Sequence, residues 1–436
     1  MSTHEPSSAS SPDRRQTLVG AALLGAGAWG CAAAQSSRES DAAAASAELF
    51  ADLADQRPFH APISEPERAA RRARLGKLLA SRGLDAFVCE GGATLTYLAG
   101  VSWGKSERAF ALVVLGDGSH FWICPAFEAE KARLSIQGEG KPGGDVVTWD
   151  EHEYAWKPFA AALRARRVER VAVDPALRVF IADELANEHG RDKVVLGRAE
   201  VIALRASKDA HELALLRRAN ELTQQAIVAA SRHIRVGMTG TEAGRLITSA
   251  QQKLGLTDVW RLSLVGAAAA YPHGDNSAVV LERGDFLLVD TGGSFHGYQS
   301  DNTRTWCVEG SPSSEQLRAW NAVRDAQLRA FEAVRPGVPC GAIDRAARAS
   351  LKASGYGEGY EHLTHRLGHG IGLEGHEDPY FDGGSEVALA PGMTLSDEPG
   401  VYIYGSFGVR LEDIVAVTGS GADHFGSWQK DCRSPA

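Results

Sequence analysis

Four carboxylates and a run of histidines stand out as groups that could share one chemistry. In residues 286–307, FLLVDTGGSFHGYQSDNTRTWC, two apolar runs flank a Gly-rich turn, and Asp290 and Asp301 lie equidistant from its centre. A hairpin of that register sets the two residues face to face, with Cβ atoms about 4.5–5.5 Å apart. Facing carboxylates repel unless a cation or a shared proton lies between them. Glu398 and Glu412 repeat the arrangement around Gly405. Between the two pairs, residues 362–377 (HLTHRLGHGIGLEGHE) hold four of the chain's 14 histidines, with glycines at 368, 370, 372 and 375 that let the backbone approach a neighbour closely. Taken singly, each Asp reads as a turn cap and each Glu as a solvated strand residue. Four acids and an imidazole together suit two divalent cations of the manganese, cobalt or zinc type, bridged by water. Two such ions about 3.5–4 Å apart generate hydroxide near neutral pH and polarise a carbonyl.

Three rival motifs fail on context. Asp290-Thr291-Gly292 matches an aspartic-protease active site, but that mechanism needs a second copy, or a symmetric dimer supplying one, on an all-β fold. Gly370, Gly372 and Gly375 satisfy GxGxxG, yet His-Glu-Asp-Pro follows instead of an apolar helix, which argues against a dinucleotide site. His365 and His369 have zincin spacing, but no Glu follows the first His and Gly368 disfavours a helix.

The elements that must carry these groups read as two domains. At 436 residues, with 44% hydrophobic and 23% charged residues, the chain is neither disordered, coiled-coil nor a polytopic membrane protein. The net charge of −9 and the lack of a basic block exclude nucleic acid as a partner. Ser64 and Glu67 form a capping box before the stripe Leu75, Leu78, Leu79. Short apolar runs at 86–89, 109–115, 120–124 and 168–173, separated by turns and helical stretches, give an α/β pattern. The pattern changes near Ser207. A long helix is expected over 208–234, a second from Thr241 to just before Gly255, a third behind Ser313 and a fourth ending at Gly355. Strands are expected at 286–290, 303–308, 393–398 and 409–417, so this second part is α+β. The resulting division is a leader over 1–34, a linker over 35–62, a first domain over 63–204 and a catalytic domain over 205–428.

The leader reads as a twin-arginine export signal: Arg14-Arg15 precede the Ala/Gly/Leu-rich run 17–34, which is short for a membrane span. An exported, periplasmic or envelope-associated protein is therefore expected. Trp29-Gly30-Cys31 loosely resembles a lipoprotein cleavage site, which would put a lipid anchor on Cys31; the alternative cut follows Ala34. Cys89, Cys124, Cys307, Cys340 and Cys432 are scattered without a CxxC pair, which argues against a disulfide framework and a thiolate metal site.

The full constellation resembles the pita-bread metallopeptidases, the family of prolidase, aminopeptidase P and methionine aminopeptidase, with creatinase as a relative. VDTGGSFHGYQSDNTRT, GHGIGLEGHEDPY and PGMTLSDEPGVYIYGSFGVRLED carry the likeness, which spans about 64–425. It implies a pita-bread α+β domain behind a smaller creatinase-like α/β domain. It also implies the ligand set Asp290, Asp301, His369, Glu398 and Glu412 for two divalent ions, manganese first, cobalt or zinc as alternatives. By the same likeness Glu398 shuttles the proton of a bridging hydroxide, His376 stabilises the tetrahedral intermediate, and His273 contacts substrate. His365 matches a histidine of the Xaa-Pro branch, Arg410 orients a metal-site carboxylate, and Thr303 assists by its hydroxyl. His296 and His362 are left as turn or surface residues. The long first domain points to the Xaa-Pro branch: a peptidase acting before a proline at the second position, expected as a homodimer. A catalytically silent binding protein, or an esterase or phosphotriesterase on the same site, are the alternatives. Asn302 and Asp397 depart from the family pattern, which often has an apolar β-branched residue at the first position.

Overall fold

The computed structural model describes residues 49–275 and 277–436. The readings made for 1–34 and for Cys31, and the linker up to residue 48, lie outside the described residues. The chain divides into two compact units after Leu53; of the first, a short turn at 49–53 is described. The second, Ala54–Ala436, holds every sheet. Among the described residues no helix is long and apolar enough to cross a membrane.

Helix α1 (Glu65–Ser81) starts where its signals put it: Ser64 and Glu67 close a capping box, Pro66 sits in the first turn, and Leu75 and Leu79 are buried. It packs on a six-stranded sheet of β1 (Ala86–Glu90), β2 (Ala111–Leu115), β3 (His120–Pro125), β4 (Asp145–Trp149), β5 (Val171–Val173) and β6 (Val194–Leu196), in the order β4-β3-β2-β1-β5-β6. Strand β1 is antiparallel to β2 and parallel to β5. Its five residues are all buried because both faces are covered: Phe87 and Cys89 point into one apolar cluster, Ala86 and Val88 into another.

Helix α2 (Arg198–Arg205) leads into the second part of the unit. There α3 (Ala210–Ser231), α4 (Gly240–Lys253) and α5 (Ser314–Ala333) each begin with a capping box, at Asp209/Glu212, Thr239/Glu242 and Ser313/Gln316; α6 (Cys340–Ala353) follows. All strand pairs here are antiparallel. One sheet holds β7 (Thr257–Val265), β8 (Phe286–Phe295), β9 (Tyr298–Gln299) and β10 (Asn302–Cys307). A second runs β12-β11-β13-β16-β17, built from β11 (Gly368–Gly370), β12 (Glu377–Phe381), β13 (Thr394–Asp397), β16 (Asp413–Val417) and β17 (Ala422–His424). Strands β14 (Gly400–Ile403) and β15 (Phe407–Arg410) form a two-stranded ribbon inserted in sequence between β13 and β16. Helices α5 and α6 bury Val323, Ala326, Ile343 and Ala347 against Leu395, Val409 and Val415.

Two expectations of register are corrected. Asp290 pairs with Thr303, not with Asp301. The β8–β9 turn is His296-Gly297, with φ of +51° and +92°, one residue beyond the centre inferred from the apolar runs. A two-residue turn with both φ positive matches the twist of the strands it joins. Moving the centre by one residue moves each partner by two, so parity is kept. Asp290 and Asp301 therefore share a face as diagonal neighbours. The second correction concerns 409–417, which is two strands in two sheets rather than one strand. Pro399 has no N–H to continue the ladder, and the chain breaks there opposite Leu411-Glu412. The flanking pairs Asp397–Asp413 and Gly400–Arg410 keep one frame across the break, so Glu398 still lies across from Glu412.

Gly297→Ala is expected to destabilise the protein by about 1–2 kcal/mol, the cost of forcing a Cβ into left-handed backbone. A urea midpoint unchanged from wild type would show that the turn tolerates it.

Candidate functional site

Five elements deliver the acids and the imidazole to one place. Asp290 stands in the middle of β8, and Asp301 ends the turn before β10 with its N–H donating to Asn220 Oδ1 of α3 (3.1 Å). His369 lies at the centre of β11, where a β-bulge interrupts pairing with β12. Gly368 and Gly370 permit this: a Cβ on Gly368 would come within 1.9 Å of Ser396 O, and one on Gly370 within 2.4 Å of Glu377 O. Glu398 follows β13, and Glu412 sits between β15 and β16, paired to Thr303 by backbone hydrogen bonds in both directions.

Ligand atoms of Asp290, Asp301 and Glu412 all lie within 4.8 Å of one another, as do those of His369, Glu398 and Glu412, and those of Asp301, His369 and His376. Asp301 (4% exposed) and Glu412 (1%) are buried. Asp290 Oδ1, Asp301 Oδ1 and Glu412 Oε1 are buried without a donor among the described residues. Burial raises the carboxyls of Asp301 and Glu412 well above the usual carboxylate range, and their acidic neighbours add to it. Burial likewise lifts Glu398 to about 8, although Arg410 opposes the shift. Protein groups alone therefore leave Asp301, Glu398 and Glu412 protonated at neutral pH, and a cation is the partner the oxygens of this centre lack. Hard oxygens plus one imidazole fit divalent cations.

His369 is prepared as a ligand. Its backbone N–H donates to Ser396 Oγ (2.9 Å), and its Nδ1 lies 3.2 Å from Gly370 O, which can only accept. The proton is thus on Nδ1 and the lone pair on Nε2, which faces Glu398 Oε1 at 3.3 Å and Asp301 Oδ2 at 3.7 Å. Burial, and then His376, hold its pKa near 3, so the ring is neutral.

Arg410 braces the centre. Its Nη2 donates to Asp290 Oδ2 (2.7 Å), Nε to Thr303 Oγ1 (3.2 Å), and Nη1 to Pro272 O (3.1 Å) and Tyr402 Oη (2.9 Å). Thr303 Oγ1 in turn donates to Glu412 Oε2 (2.7 Å), so one guanidinium orients two acids. His365 Nε2 lies 2.8 Å from Tyr402 Oη, and burial lowers its pKa to about 4. Tyr402 and Ser396 were not singled out from sequence. Tyr402 alternates with Gly400 on β14, a period-2 signal that identifies a face but not a partner.

A cleft of about 600 Å³ collects Asp290, Asp301, His369, Glu398, Glu412, His273, His365, His376 and Arg410. His376 is exposed and stacks on His369 with ring centroids 3.7 Å apart. His273 is exposed at the rim. His296 forms the hairpin turn. Asp397 points away from the cleft. Burial holds its carboxyl well above the usual range, and neither of its oxygens meets a donor. Its strand partner Asp413 is served by Arg304 (2.6 Å), Gln224 and Asn302, so the two departures from the family pattern meet at one buried acid. Among the cysteines, Cys89, Cys124, Cys307, Cys340 and Cys432 are free and buried.

The chain is similar to known proteins over both of its parts. Residues 214–419 match the model of metallopeptidase family M24, and residues 71–207 that of the creatinase/prolidase N-terminal domain. A probable dipeptidase PepE of Mycobacterium bovis is 34% identical over 360 residues, 81% of this chain and 93% of the relative. An Xaa-Pro dipeptidase of Lactobacillus helveticus is 32% identical over 350 residues, 78% of this chain and 92% of the relative. The crystal structure of dipeptidase PepE from Mycobacterium ulcerans superposes with a TM-score of 0.78 at 31% identity, covering 86% of this chain and 99% of that one.

The raised carboxyls set a pH signature. Glu398 titrates near 4.5 when unfolded and about 8 when folded, so its contribution to stability is complete below about 4.5 and lost as pH rises through 8. Chelator-stripped protein is therefore expected to melt at progressively lower temperature between those pH values, with added divalent metal restoring it and releasing protons. Melting of stripped protein that does not fall across that interval would contradict this account of the centre.

Proposed function

This chain belongs to metallopeptidase family M24, and we propose that it hydrolyses Xaa-Pro bonds, in dipeptides or at peptide amino termini, with two divalent ions held by Asp290, Asp301, His369, Glu398 and Glu412. The observation that carries the reading is the meeting of three orphaned, buried carboxylate oxygens, from Asp290, Asp301 and Glu412, in a cleft with a neutral imidazole. The choice of proline rests on the Lactobacillus relative, which is named an Xaa-Pro dipeptidase. Manganese is the ion we place first, and the Arg14-Arg15 leader makes an exported enzyme our reading of its location.

Bound divalent ions supply Lewis-acid polarisation of the scissile carbonyl and an acidified water. The chain's own groups do the rest. Glu398, beside the place of attack, takes a proton from the attacking water and returns it to the proline nitrogen, which must be protonated to leave. His376, its ring partly desolvated against His369 and lowered in pKa by that and by Arg366, donates an N–H toward the oxyanion. His273, at the rim, contacts the substrate. Arg410, with His365 behind it through Tyr402, keeps Asp290 from turning away.

His369→Ala is expected to abolish turnover of an Xaa-Pro dipeptide by more than about 10³-fold, beyond what loss of a single positioning contact explains, with the fold retained by circular dichroism. Stripping the wild type of metal is expected to do the same, reversibly on adding manganese, cobalt or zinc. Near-normal turnover by metal-free protein would refute the site.

A further inference from the structure

Cys307 ends β10, and Cys432 lies in the C-terminal segment that follows the outer edge of that strand. The segment is tied to the strand by hydrogen bonds. Gln429 Nε2 donates to Thr305 O (2.8 Å), the Thr305 N–H to Gln429 Oε1 (3.3 Å), and Arg304 Nη2 to Ser427 O (3.0 Å). The last tie joins the two cysteines themselves: the Cys307 N–H donates to Cys432 O at 2.7 Å. Standard backbone dimensions on either side of that 2.7 Å bond hold the two Cα atoms within about 6.6 Å of each other. A disulfide spans Cα separations of about 4.4–6.8 Å. Both side chains belong to the apolar cluster that contains Trp320. Burial raises both thiols, and Cys432 is the next cause acting on Cys307, so the two sulfurs sit within each other's reach; Arg433 opposes the rise at both.

The other described cysteines have no such neighbour. Cys89 on β1 and Cys124 on β3 are separated by β2, and two strand spacings amount to about 9–10 Å. Cys340 opens α6, where Ser385 is its side-chain partner. We propose that Cys307 and Cys432 close into an intramolecular disulfide that fastens the C-terminal segment to β10. The oxidant is a disulfide of the glutathione or protein-disulfide class. It enters by the groove of about 470 Å³ that Cys432 lines with Leu317, Trp320 and Arg324. The Cys432 thiolate attacks one sulfur of the oxidant, forming a mixed disulfide and expelling one thiolate. The Cys307 thiolate then attacks the Cys432 sulfur and expels the second. The two cysteines lose two electrons and two protons, and the oxidant disulfide becomes two thiols. The exported location proposed above is a compartment that holds such oxidants, but the pairing itself does not depend on it. The closed loop runs from 307 to 432, and long loops gain most from closure. It also steadies the strand whose Thr303 orients the ligand Glu412.

The test equilibrates the reduced, folded full-length chain with oxidised glutathione, and in parallel with the smaller oxidant diamide. Peptide mapping without reductant then locates the bonds. A peptide linking Cys307 to Cys432 is expected, with Cys89, Cys124 and Cys340 still reduced. The oxidised wild type is expected to melt roughly 5–10 °C above Cys432→Ser, and reduction to return it to the variant's value. Metal content is expected to be the same in all three forms. Thiols left untouched by both oxidants overturn the proposal, as does a glutathione adduct that stops on one sulfur or a link from either residue to another cysteine. A bridge that forms without raising the melting temperature overturns its role as a fastening.

Discussion

Mutual repulsion among Asp290, Asp301, Glu398 and Glu412 is the constraint around which the second part of the molecule is organised. Two like charges about 4 Å apart repel by about 4 kcal/mol at an effective dielectric of 20, a large share of the about 5–15 kcal/mol that holds a domain together. No isolated hairpin could carry that cost. The acids come from separate segments of two sheets and a ribbon, each anchored elsewhere by its own ladder, so relaxing one requires breaking a sheet. The outcome is a centre in which Asp301, Glu398 and Glu412 hold protons unless a cation arrives, and that state couples metal binding, pH and stability.

Orientation is shared out among neutral groups and one cation. Ser396 Oγ accepts from the His369 N–H and contacts Glu398 Oε1 at 3.1 Å; Thr303 ties Glu412 to Arg410; Tyr402 ties Arg410 to His365. Because Arg410 is always charged, it cannot be titrated away from Asp290 in the accessible pH range. It also fills part of the charge deficit without occupying the ligand positions. On the far side of β13, Asn302 and the strand pair Asp397–Asp413 form a second buried polar layer around Arg304. The described residues offer no donor to Asp397.

The loop that carries His376 is fastened from the junction between the two parts of the unit. Arg205 of α2 pairs with Glu374 (2.6 Å) and with the buried Glu377, and Lys208 reaches Glu377 at 2.7 Å. Glu377 stays ionised because these two cations outweigh its burial. Helix α2 and the residues just after it thus fasten the loop that carries His376.

Much of this was legible in the residues alone, and the reasons are local. Helix starts were readable because a capping box is a contact between neighbours three apart, as at Ser64 and Ser313. The shared face of Asp290 and Asp301 was readable because alternation has period two and survives an error in the turn. The chemistry class was readable because acids and imidazole at such density have few other uses. What the residues could not state was register and partnership. That Asp290 meets Thr303, that 409–417 splits between two sheets at Pro399, and that Tyr402 links His365 to Arg410 all depend on pairings that the types and spacing of the residues leave open. Side-chain types and their spacing fix what a segment can offer; only the packed sheets decide which offer meets which, because those distances are set by ladders that no short stretch contains.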